Sequence, residues 1–359
     1  MGSITIFDLS FIADRRISGV ERFSIEIYEA AAGLAPDAVI ALVPRGGAAL
    51  VSIGRVHALP FRSKVFNQLF GVPFAIWKLR ATKIVFPSFP PSPLCLLIRN
   101  LSVFRVIHDT VYWDKSSTLS RKARLYLKPL ERAWLMRYRR IATVSSFSKS
   151  RLTKLFPGLL GKIEVVPNAV SGRLADPGPA PSIDKYVLSV GTIEPRKNFP
   201  FLVAVFEHLA KSDGDLNLVI CGRRGWAYAG LRELCDKSQF CSRIHLITNS
   251  SDSELASYYK HCRTFVFPSI EEGFGIPLIE AMFYGRPVVA ANNSAITEIV
   301  SGVGTLVDGY DINKWSAEVE RSIVETPLEK QERLRERSAQ YSWTASARKL
   351  IRMIENEAA

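Results

Sequence analysis

Two glutamates, Glu272 and Glu280, stand eight positions apart in the segment of the chain that is richest in groups able to do chemistry. The segment begins where the apolar run Thr264–Phe267 ends, and it carries Gly273 and Gly275, which permit tight turns and close backbone approach. Carboxylates accept hydrogen bonds well from vicinal hydroxyls, so such a pair can bind hydroxyls on either side of a diphosphate. The alternative is one solvated loop glutamate and one helix-surface glutamate. The glycines and the strand–loop–helix context favour the binding interpretation.

The residues after the glycines predict a helix that starts at the end of a strand. Pro277 has the fixed backbone angle of a first helical turn, and Leu278–Tyr284 continue as a helix. Such a helix N-terminus presents N–H groups without intrahelical partners and the positive end of the helix dipole. The pattern therefore predicts a phosphate-binding site at this strand end.

A second cluster lies where the apolar run Tyr186–Val190 stops at Gly191 and Thr192. Arg196 and Lys197 follow on the loop before the next predicted helix. Arginine can bind a diphosphate in bidentate fashion and lysine binds it as a point charge. For an isolated pair of cations, an ordinary solvated basic turn is the alternative.

A third loop carries Thr248, Asn249, Ser250 and Ser251 after the run Ile244–Ile247. Its backbone could contact the edge of a nucleobase. Polar loops are common, so this signal is weak by itself.

These loops need a sheet that brings strand ends together, and the chain alternates between short apolar runs and amphipathic helices. Helices are predicted at Val20–Ala32, Phe199–Lys211 and Ser253–His261. Strands of the buried parallel type are predicted at Ser3–Asp8, Lys83–Phe86, Val103–Ile107, Ile141–Val144, Ile163–Val166, Tyr186–Val190, Leu216–Cys221, Ile244–Ile247, Thr264–Phe267 and Pro287–Ala290. Two such alternations predict an α/β chain of two doubly wound Rossmann-like domains facing a central cleft.

The segment Ala175–Lys185 holds three prolines and one glycine in eleven residues, which is typical of an interdomain linker. We therefore expect an N-terminal domain over residues 1–175 and a C-terminal domain over residues 183–343. A C-terminal helix over about residues 344–359 is expected to pack back on the N-terminal domain.

The charge of the chain divides at the same place. The 359 residues hold 47 Lys plus Arg and 34 Asp plus Glu, a formal net charge of +13. Residues 1–175 hold 26 basic and 10 acidic residues, a net charge of +16, and residues 176–359 hold 21 and 24, a net charge of −3. An apolar fraction of 47% excludes a disordered chain. The basic half is expected to meet an anionic partner.

Several classes of protein are excluded by what the sequence lacks. The five cysteines are odd in number and form no C-x-x-C pair, which argues against a disulfide framework or a zinc site and fits a reducing compartment. No basic region leads into an apolar one at the start, so no signal peptide is expected. No stretch reaches about 18 uncharged apolar residues, so we expect a soluble or surface-attached chain.

Taken together, the motifs resemble the retaining nucleotide-sugar glycosyltransferases of family 4, which have the two-domain GT-B fold. Glu272 and Glu280 match the E-x7-E motif of that family, with GFGIPL in the interval. The resemblance covers nearly the whole chain, through IHDT at 107–110, TVSSFSKSRL at 143–152, VPNAV at 166–170 and GTIEPRKNF at 191–199. GTIEPRKN and IHD are most similar to the mannosyltransferase-like branch that builds bacterial surface polysaccharides.

The resemblance implies roles for residues of the second half. Glu280 would bind the donor ribose, Glu272 would contact the donor sugar, and Lys197 would neutralise the leaving diphosphate. Many family members carry arginine where this chain has Thr192, so Arg196 would supply that charge. The implied donor-binding set is Gly19, Gly191, Thr192, Arg196, Lys197, Thr248, Glu272, Gly273, Phe274, Gly275, Ile276 and Glu280. The implied catalytic set is His108, Glu272, Arg196 and Lys197.

Two of these residues lie in the first half. Gly19 matches a loop whose backbone approaches the diphosphate, although Glu21 stands where the usual pattern has a glycine. His108 matches a histidine that faces the donor sugar. A lone buried histidine is otherwise more often structural than catalytic.

The resemblance also implies the chemistry. Transfer would retain the anomeric configuration and would need no metal and no cofactor. DGYD at 308–311 has the wrong spacing for the Asp-x-Asp signature of metal-dependent transferases. The substrate would be a nucleotide sugar, with GDP-mannose as the leading candidate donor, and the acceptor a lipid-linked saccharide. A UDP-hexose donor is the alternative within this class. A non-catalytic sugar-binding protein and a nucleic-acid-binding protein are the other classes, the last favoured only by a pI near 9.6.

The strongest basic signal is the segment Arg121–Arg140, with eight basic residues and one acidic residue. Its basic face with interleaved aromatics suits an anionic bilayer or a lipid-diphosphate acceptor, and Phe66–Arg80 could add an apolar wedge. Both segments could instead be core-packing helices with solvated basic backs. The residues expected at the acceptor or membrane are Arg121, Lys122, Arg124, Lys128, Arg132 and Trp134. We expect a cytoplasmic protein, peripheral on the inner face of the plasma membrane.

Overall fold

The chain forms two compact units, Met1–Asn168 with Ser342–Ala359, and Ala169–Tyr341. The structure is a computed structural model that describes residues 4–12, 18–110, 113, 129, 131–324 and 327–356. Both units are built from parallel strands with helical crossovers, so the predicted α/β fold of two doubly wound, Rossmann-like domains is confirmed.

The first unit contains a seven-stranded sheet in the order β3-β2-β1-β4-β5-β6-β7, and every paired neighbour is parallel. The strand order reverses between β1 and β4, which is where an open sheet of this type places its crevice. The strands are β1 Thr5–Asp8, β2 Val39–Val43, β3 Arg55–Ala58, β4 Lys83–Phe86, β5 Ser102–Ile107, β6 Arg140–Thr143 and β7 Ile163–Val165.

Helices pack on the faces of this sheet. A π-helical turn, Asn67–Gly71, joins α2 to α3, so that 64–78 is helical throughout. The helices are α1 Gly19–Leu34, α2 Lys64–Phe66, α3 Val72–Lys78, α4 Ser146–Leu155 and, from the end of the chain, α12 Trp343–Glu355. The last helix packs on α1, where the rings of Phe23 and Trp343 meet edge to face at 5.5 Å.

The second unit contains a six-stranded parallel sheet in the order β10-β9-β8-β11-β12-β13, with the reversal between β8 and β11. Its strands are β8 Tyr186–Val190, β9 Asn217–Cys221, β10 Ile244–Ile247, β11 Thr264–Phe267, β12 Val288–Ala291 and β13 Thr305–Val307. Its helices are α5 Phe199–Leu209, α6 Tyr228–Lys237, α7 Asp252–His261, α8 Ile276–Phe283, α9 Ser294–Val300, α10 Ile312–Val324 and α11 Leu328–Ala339.

The proline-rich segment Ala175–Lys185 lies within the second unit and follows its surface. The N–H of Gly178 donates to the carbonyl of Ser253 at 2.9 Å, and the Ser257 hydroxyl donates to the carbonyl of Pro179 at 2.6 Å. The prolines keep the segment out of helices and strands, as expected, but its backbone is anchored on α7. The boundary between the compact units falls earlier, after Asn168.

The basic segment Arg121–Arg140 is described only in part. Trp134 and Tyr138 are buried in the core of the first unit, 2% and 1% exposed, with their rings stacked at 5.9 Å. This burial corrects the prediction that Trp134 faces an acceptor or membrane, because an aromatic between basic residues can equally be a core residue. Arg132 is exposed. The other four predicted surface cations, Arg121, Lys122, Arg124 and Lys128, lie outside the described residues.

A buried ion pair joins β5 to the helical residues 131–134. Arg105 donates from Nε and Nη2 to the carboxylate of Glu131, at 3.1 and 3.0 Å, and from Nη1 to the carbonyl of Phe86 at 3.0 Å. The Tyr138 hydroxyl donates to the same carboxylate at 2.7 Å. Burial raises the pKa of Tyr138 well above its usual value, and the Glu131 charge adds to the rise. The pair is fully satisfied and fixes the end of β5.

Among the described residues, no helix combines the length and the apolar composition needed to cross a membrane.

We predict that Glu131→Gln lowers the free energy of unfolding by about 3–5 kcal/mol, because it leaves the Arg105 guanidinium buried without its counter-charge. Urea unfolding at pH 7 measures the change. Glu318→Gln is the matched control, since Glu318 pairs with Arg321 on an exposed helix face and should cost less than about 1 kcal/mol. Equal losses in the two variants would contradict this account of the first unit.

Candidate active site

The loop between β11 and α8 brings a helix N-terminus to the carboxyl end of a central strand. Gly275 is the N-cap residue of α8, with a φ of 106°, and no side chain caps the helix. A Cβ at this position would lie 2.8 Å from the Cδ1 atom of Leu278. Glycine is therefore required twice over, by the backbone angle and by the space. The structure thus places a helix N-terminus without a side-chain cap after β11, where the sequence predicts a helix start. Whether it binds phosphate stays a prediction.

The side chains around this helix end form a cluster of four charges. Glu272 accepts a hydrogen bond from Lys197 Nζ at 2.6 Å on one carboxylate oxygen and from the Arg196 guanidinium on the other. Arg196 also donates to the carboxylate of Glu194, at 3.1 Å from Nε and 2.6 Å from Nη2, and to the carbonyl of Glu271 at 2.8 Å. The loops after β8 and β11 are thus held together by charge.

Lys197 is buried, 7% exposed, and its aliphatic side chain is closely packed. Its Nζ lies 4.9 Å from the centre of the Phe267 ring, a cation–π distance. A Cβ on Gly191 would lie 2.9 Å from the Cε atom of Lys197, and a Cβ on Gly222 would lie 1.8 Å from the carbonyl oxygen of Gly191. The two glycines therefore let the ends of β8 and β9 pack closely around the lysine.

The ionisation of the cluster follows from burial and charge. Burial raises the pKa of Glu272, but the charges of Arg196 and Lys197 outweigh it and hold that pKa at about 2. Burial lowers the pKa of Lys197, and the Glu272 carboxylate opposes that change. Glu272 is therefore an anion at neutral pH.

Glu280, the second glutamate of the motif, is 5% exposed and lies in the second turn of α8. The Tyr259 hydroxyl, from α7, donates to its carboxylate at 2.7 Å. Burial raises the pKa of Tyr259 well above its usual value, and the Glu280 charge raises it further. Glu280 is thus not a helix-surface residue, which removes the alternative interpretation of the pair.

Sequence reasoning missed three residues that position the cluster: Glu194, Asn198 and Ser294. The Ser294 hydroxyl accepts the N–H of Glu272 at 3.0 Å, which ties the loop after β12 to the motif. Asn198 and Ser294 have positive φ, 54° and 49°, and both directly adjoin the charge cluster. Such strained backbone is held only where the surroundings determine it, often at functional sites. Asparagine after Arg-Lys was visible in the sequence as a residue that tolerates this angle.

The remaining predicted donor residues of the second unit are spread along the same strand ends. Thr192 and Thr248 are partly buried at the ends of β8 and β10. Gly273 and Ile276 are partly buried beside Gly275, whereas Phe274 is 5% exposed and packs edge to face on Tyr341 at 5.3 Å.

The polar loop after β10 also has a structural role. The Ser251 hydroxyl accepts the N–H of Glu254 at 3.2 Å and Glu254 accepts the N–H of Ser251 at 2.7 Å. This reciprocal pair is a capping box that starts α7.

In the first unit, Gly19 is the first residue of α1 and does not lie in a loop. Ser18 caps the helix, and Glu21 completes a capping box by accepting the N–H of Ser18 at 2.7 Å. The substitution of glutamate for the usual glycine therefore has a local explanation. The S-x-x-E spacing was a readable signal for this helix start.

His108 lies at the end of β5 and is partly buried. Its Nε2 donates to the carbonyl of Pro87 at 2.8 Å, and its ring meets Phe23 edge to face at 4.7 Å. Burial lowers the pKa of His108 to about 4, so the imidazole is neutral at pH 7 and Nδ1 is an acceptor. His108 lines a cavity of about 400 Å³ together with Ser18, Glu21 and Asp109.

The structure thus supplies two separate groupings of the predicted residues, one in each unit. The second unit gathers Gly191, Arg196, Lys197, Glu272 and Gly275 around the end of α8. The first unit places His108 by the cavity at the ends of its own strands.

Comparison with known proteins gives a match in the part of the chain that carries the charge cluster. Residues 173–341 match the family described as "Glycosyl transferases group 1". The chain is 34% identical over 194 residues to the O-antigen chain mannosyltransferase B of Escherichia coli, a segment that covers 51% of this chain and 51% of that relative. The chain thus aligns with about half the length of this curated relative.

Solved structures share the fold across both units. Sucrose-phosphate synthase from Thermosynechococcus elongatus matches with a TM-score of 0.79 at 18% identity, over 99% of this chain and 98% of that one. The Anabaena protein HepE, solved in complex with UDP and glucose, matches with a TM-score of 0.73 at 14% identity, over 99% and 100%. At these identities the likeness shows the GT-B fold alone.

We predict that the charge cluster contributes stability that depends on pH. The pKa of Glu272 is lowered from 4.5 to about 2, so its stabilisation is complete above pH 4.5 and is lost as the pH falls towards 2. Glu272→Gln should therefore lower the free energy of unfolding by on the order of 3 kcal/mol at pH 6, and by progressively less below pH 4.5.

Urea unfolding at a series of pH values measures this difference. The control is Glu233→Gln, since Glu233 pairs with Lys237 on an exposed helix face. A Glu272→Gln difference that does not shrink between pH 4.5 and pH 2 would show that the carboxylate is not held as proposed.

Proposed function

Because residues 173–341 match the glycosyl transferases group 1 family, we propose that the chain is a retaining glycosyltransferase. It moves a hexose from a nucleotide diphosphate sugar to a lipid-linked saccharide in the synthesis of a surface polysaccharide. The observation that carries this proposal is the uncapped N-terminus of α8 beside the Glu272–Lys197 ion pair. A positive helix end and a buried ammonium together suit the diphosphate of such a donor.

The second unit offers each part of a nucleotide diphosphate sugar a matching group. Glu280 has the acceptor oxygens that a ribose diol requires, and Tyr259 holds its carboxylate in place. The N–H groups at the start of α8 meet the phosphates. Glu272 lies on the loop before the helix and is the group expected to contact the sugar.

The two cations of the cluster take different roles in this proposal. Arg196 donates to two carboxylates and one carbonyl, so it holds Glu272 and its loop in place. Lys197 is held by one carboxylate contact, and an ammonium has three donors. We therefore assign the charge that meets the leaving diphosphate to Lys197 and to α8, with Arg196 one step removed.

The chemistry follows from where charge develops. When the anomeric bond breaks, positive charge grows on the sugar and negative charge on the departing diphosphate. Lys197 and the end of α8 stabilise the negative charge in a fixed, partly dehydrated setting, which is often the largest catalytic contribution. Attack by the acceptor on the face that the leaving group departs from gives retention. The charge of these groups also lets the transfer run without a metal ion.

The neutral His108 of the first unit suits the sugar more than the diphosphate. With Nε2 donating to Pro87, Nδ1 can accept a hydrogen bond from a sugar hydroxyl but cannot supply a positive charge. Its cavity of about 400 Å³ has room for a saccharide unit.

The leading donor is GDP-mannose, supported by the name of the Escherichia coli relative, a mannosyltransferase. A UDP-hexose is the second candidate, supported by the HepE complex with UDP and glucose. The loop after β10, with Thr248 partly buried at its start, is where the two bases would be distinguished.

We predict that one nucleoside diphosphate stabilises the chain in a thermal-shift panel of GDP, UDP, ADP and TDP, with and without EDTA. A ligand at 100-fold its dissociation constant adds about 2.7 kcal/mol of stability, which is readily measured. GDP is expected to give the largest shift, and EDTA is expected to leave that shift unchanged. No response to any of the four would contradict the proposal.

We predict that Glu280→Ala weakens donor binding about 10- to 100-fold, because charged hydrogen bonds to the ribose are lost. Lys197→Ala should lower kcat about 100-fold with a smaller effect on donor KM, because its contact strengthens as the diphosphate departs. Donor-dependent transfer with product anomer analysis by NMR measures both effects and the retention.

The controls are Glu233→Ala and Lys237→Ala, a glutamate and a lysine exposed on α6. Unchanged donor binding in Glu280→Ala together with an unchanged kcat in Lys197→Ala would reject the site. An inverted product would reject the retaining mechanism.

A further inference from the structure

A row of large aromatic side chains is exposed on one face of the helical segment 64–78. The spacings of four, four and three residues place them on a single side of a helix. The row consists of Phe66, Phe70, Phe74 and Trp77, which are 53%, 51%, 51% and 73% exposed.

The rings of this aromatic row lie in two close groups on the same helix face. The ring centres of Phe66 and Phe70 are 6.2 Å apart, and those of Phe74 and Trp77 are 5.8 Å apart. Phe61, 38% exposed, extends the row with a ring centre 6.0 Å from that of Phe66. Exposed aromatic side chains gathered on one helix face in this way mark a contact with an apolar partner.

The helix that carries the row is fixed from its other side. The Asn67 side chain accepts the N–H of Phe61 at 3.1 Å and donates to the carbonyl of Phe61 at 2.8 Å. Gln68 Nε2 donates to the buried Asp8 carboxylate at 2.8 Å, at the end of β1. Val72 and Ile76 lie in the core of the first unit. The row is therefore presented by a rigid support.

Along the sequence, the charged side chains on either side of the row are all positive. Residues 38–108 contain no aspartate or glutamate. Besides Arg105, which is buried and paired with Glu131, the same stretch contains eight cations: Arg45, Arg55, Arg62, Lys64, Lys78, Arg80, Lys83 and Arg99. Arg62 and Lys64 precede the row, and Lys78 and Arg80 follow it. An apolar surface among cations alone is complementary to a partner that is both apolar and anionic.

A groove of about 800 Å³ opens at the end of the row. Trp77 and Leu97 supply apolar walls, and Lys78, Arg80 and Arg99 supply three cations. Leu97 is 76% exposed. The groove thus places positive charge next to the most exposed ring of the row, at a size that accommodates a lipid headgroup.

We propose that this surface, the aromatic row with its basic groove, docks the first unit on a bilayer that contains anionic lipids. The rings enter the boundary between headgroups and acyl chains, where aromatic side chains partition well. The groove receives an anionic headgroup. The proposal deepens the proposed function by naming the surface that would meet a lipid-linked acceptor, and docking can be measured without donor or acceptor.

The charges of the chain favour the bilayer over the other occupants. The first unit holds 28 Lys plus Arg against 12 Asp plus Glu, a net charge of +16, so a second copy would meet a surface of its own sign. Most of residues 111–130 lie outside the described residues. They carry five cations and one aspartate, so they also lack the negative charge that would complement this surface. Anionic lipid supplies both the charge and the apolar interior.

Flotation of the full chain with vesicles tests the proposal. We expect binding to vesicles of phosphatidylcholine with 30% phosphatidylglycerol at about 0.1 M salt, and a fall in binding as the salt concentration rises. Each of Phe70→Ser, Phe74→Ser and Trp77→Ser should lower the partition coefficient about tenfold. Lys78→Glu and Arg99→Glu should weaken binding to the anionic vesicles while leaving the weak binding to phosphatidylcholine alone unchanged.

Matched controls lie in the second unit. Trp226→Ser removes a tryptophan that is 64% exposed, and Lys237→Glu reverses an exposed cation, so both should bind vesicles as the wild type does. Melting temperature and nucleotide binding, measured on every variant, show that the fold and the donor site persist. Failure of nucleotide binding in the wild type would count against the proposed function and leave the docking result intact.

Three results would overturn the proposal. The first is that all three aromatic variants float with the vesicles to the same extent as the wild type. The second is absence of vesicle binding by the wild type at low salt. The third is a dimer in light scattering that Phe74→Ser dissociates while vesicle binding is unchanged, which would assign the row to a second copy of the chain.

Discussion

The arrangement of the second unit depends on one carboxylate, Glu272, which is shared between an arginine and a lysine. Its cations arrive on the loop after β8, and its own loop follows β11, so the ion pairs join the two strands between which the sheet order reverses. Burying such a group is unfavourable unless it is paired, and here both oxygens are paired. The same contacts fix the approach to α8, whose N-terminus lacks a side-chain cap. The contacts that hold the two loops together therefore involve the same residues that we propose bind the donor.

Much of the fold could be predicted from the sequence, because buried parallel strands have a strong composition signal. Four predicted strands, at Lys83–Phe86, Tyr186–Val190, Ile244–Ile247 and Thr264–Phe267, have the observed bounds. Three strands, β2, β3 and β13, were not predicted. The edge strand β3 is largely exposed and reads RVHA, whereas β2 is buried throughout and its apolar run VIALV was a readable signal. A strand that is buried on both faces needs a continuous apolar run, whereas an exposed edge strand does not.

The candidate site was predictable as a set of residues but not as a set of contacts. The sequence shows the spacing of Glu272 and Glu280 and the adjacent pair of Arg196 and Lys197. These residue types alone indicate a site that binds hydroxyl groups and negative charge. The contact between Arg196 and Glu272 could not be predicted, because the two residues are far apart in sequence and meet only through the sheet. The contact between Arg196 and Glu194 is local, within one loop. Trp134 is the opposite case. Its basic neighbours in sequence suggested a position on the surface, but its ring is buried in the core. Local sequence indicates chemistry, whereas burial is decided by the whole unit.

The most direct test of the central claim is a crystal structure of the chain with bound GDP or, if the chain selects it, UDP. The account predicts phosphate oxygens within hydrogen-bonding distance of Lys197 Nζ and of the first N–H groups of α8. It also predicts the ribose hydroxyls on the carboxylate of Glu280. A nucleotide bound elsewhere, with its phosphates away from Lys197 and from α8, would contradict the account.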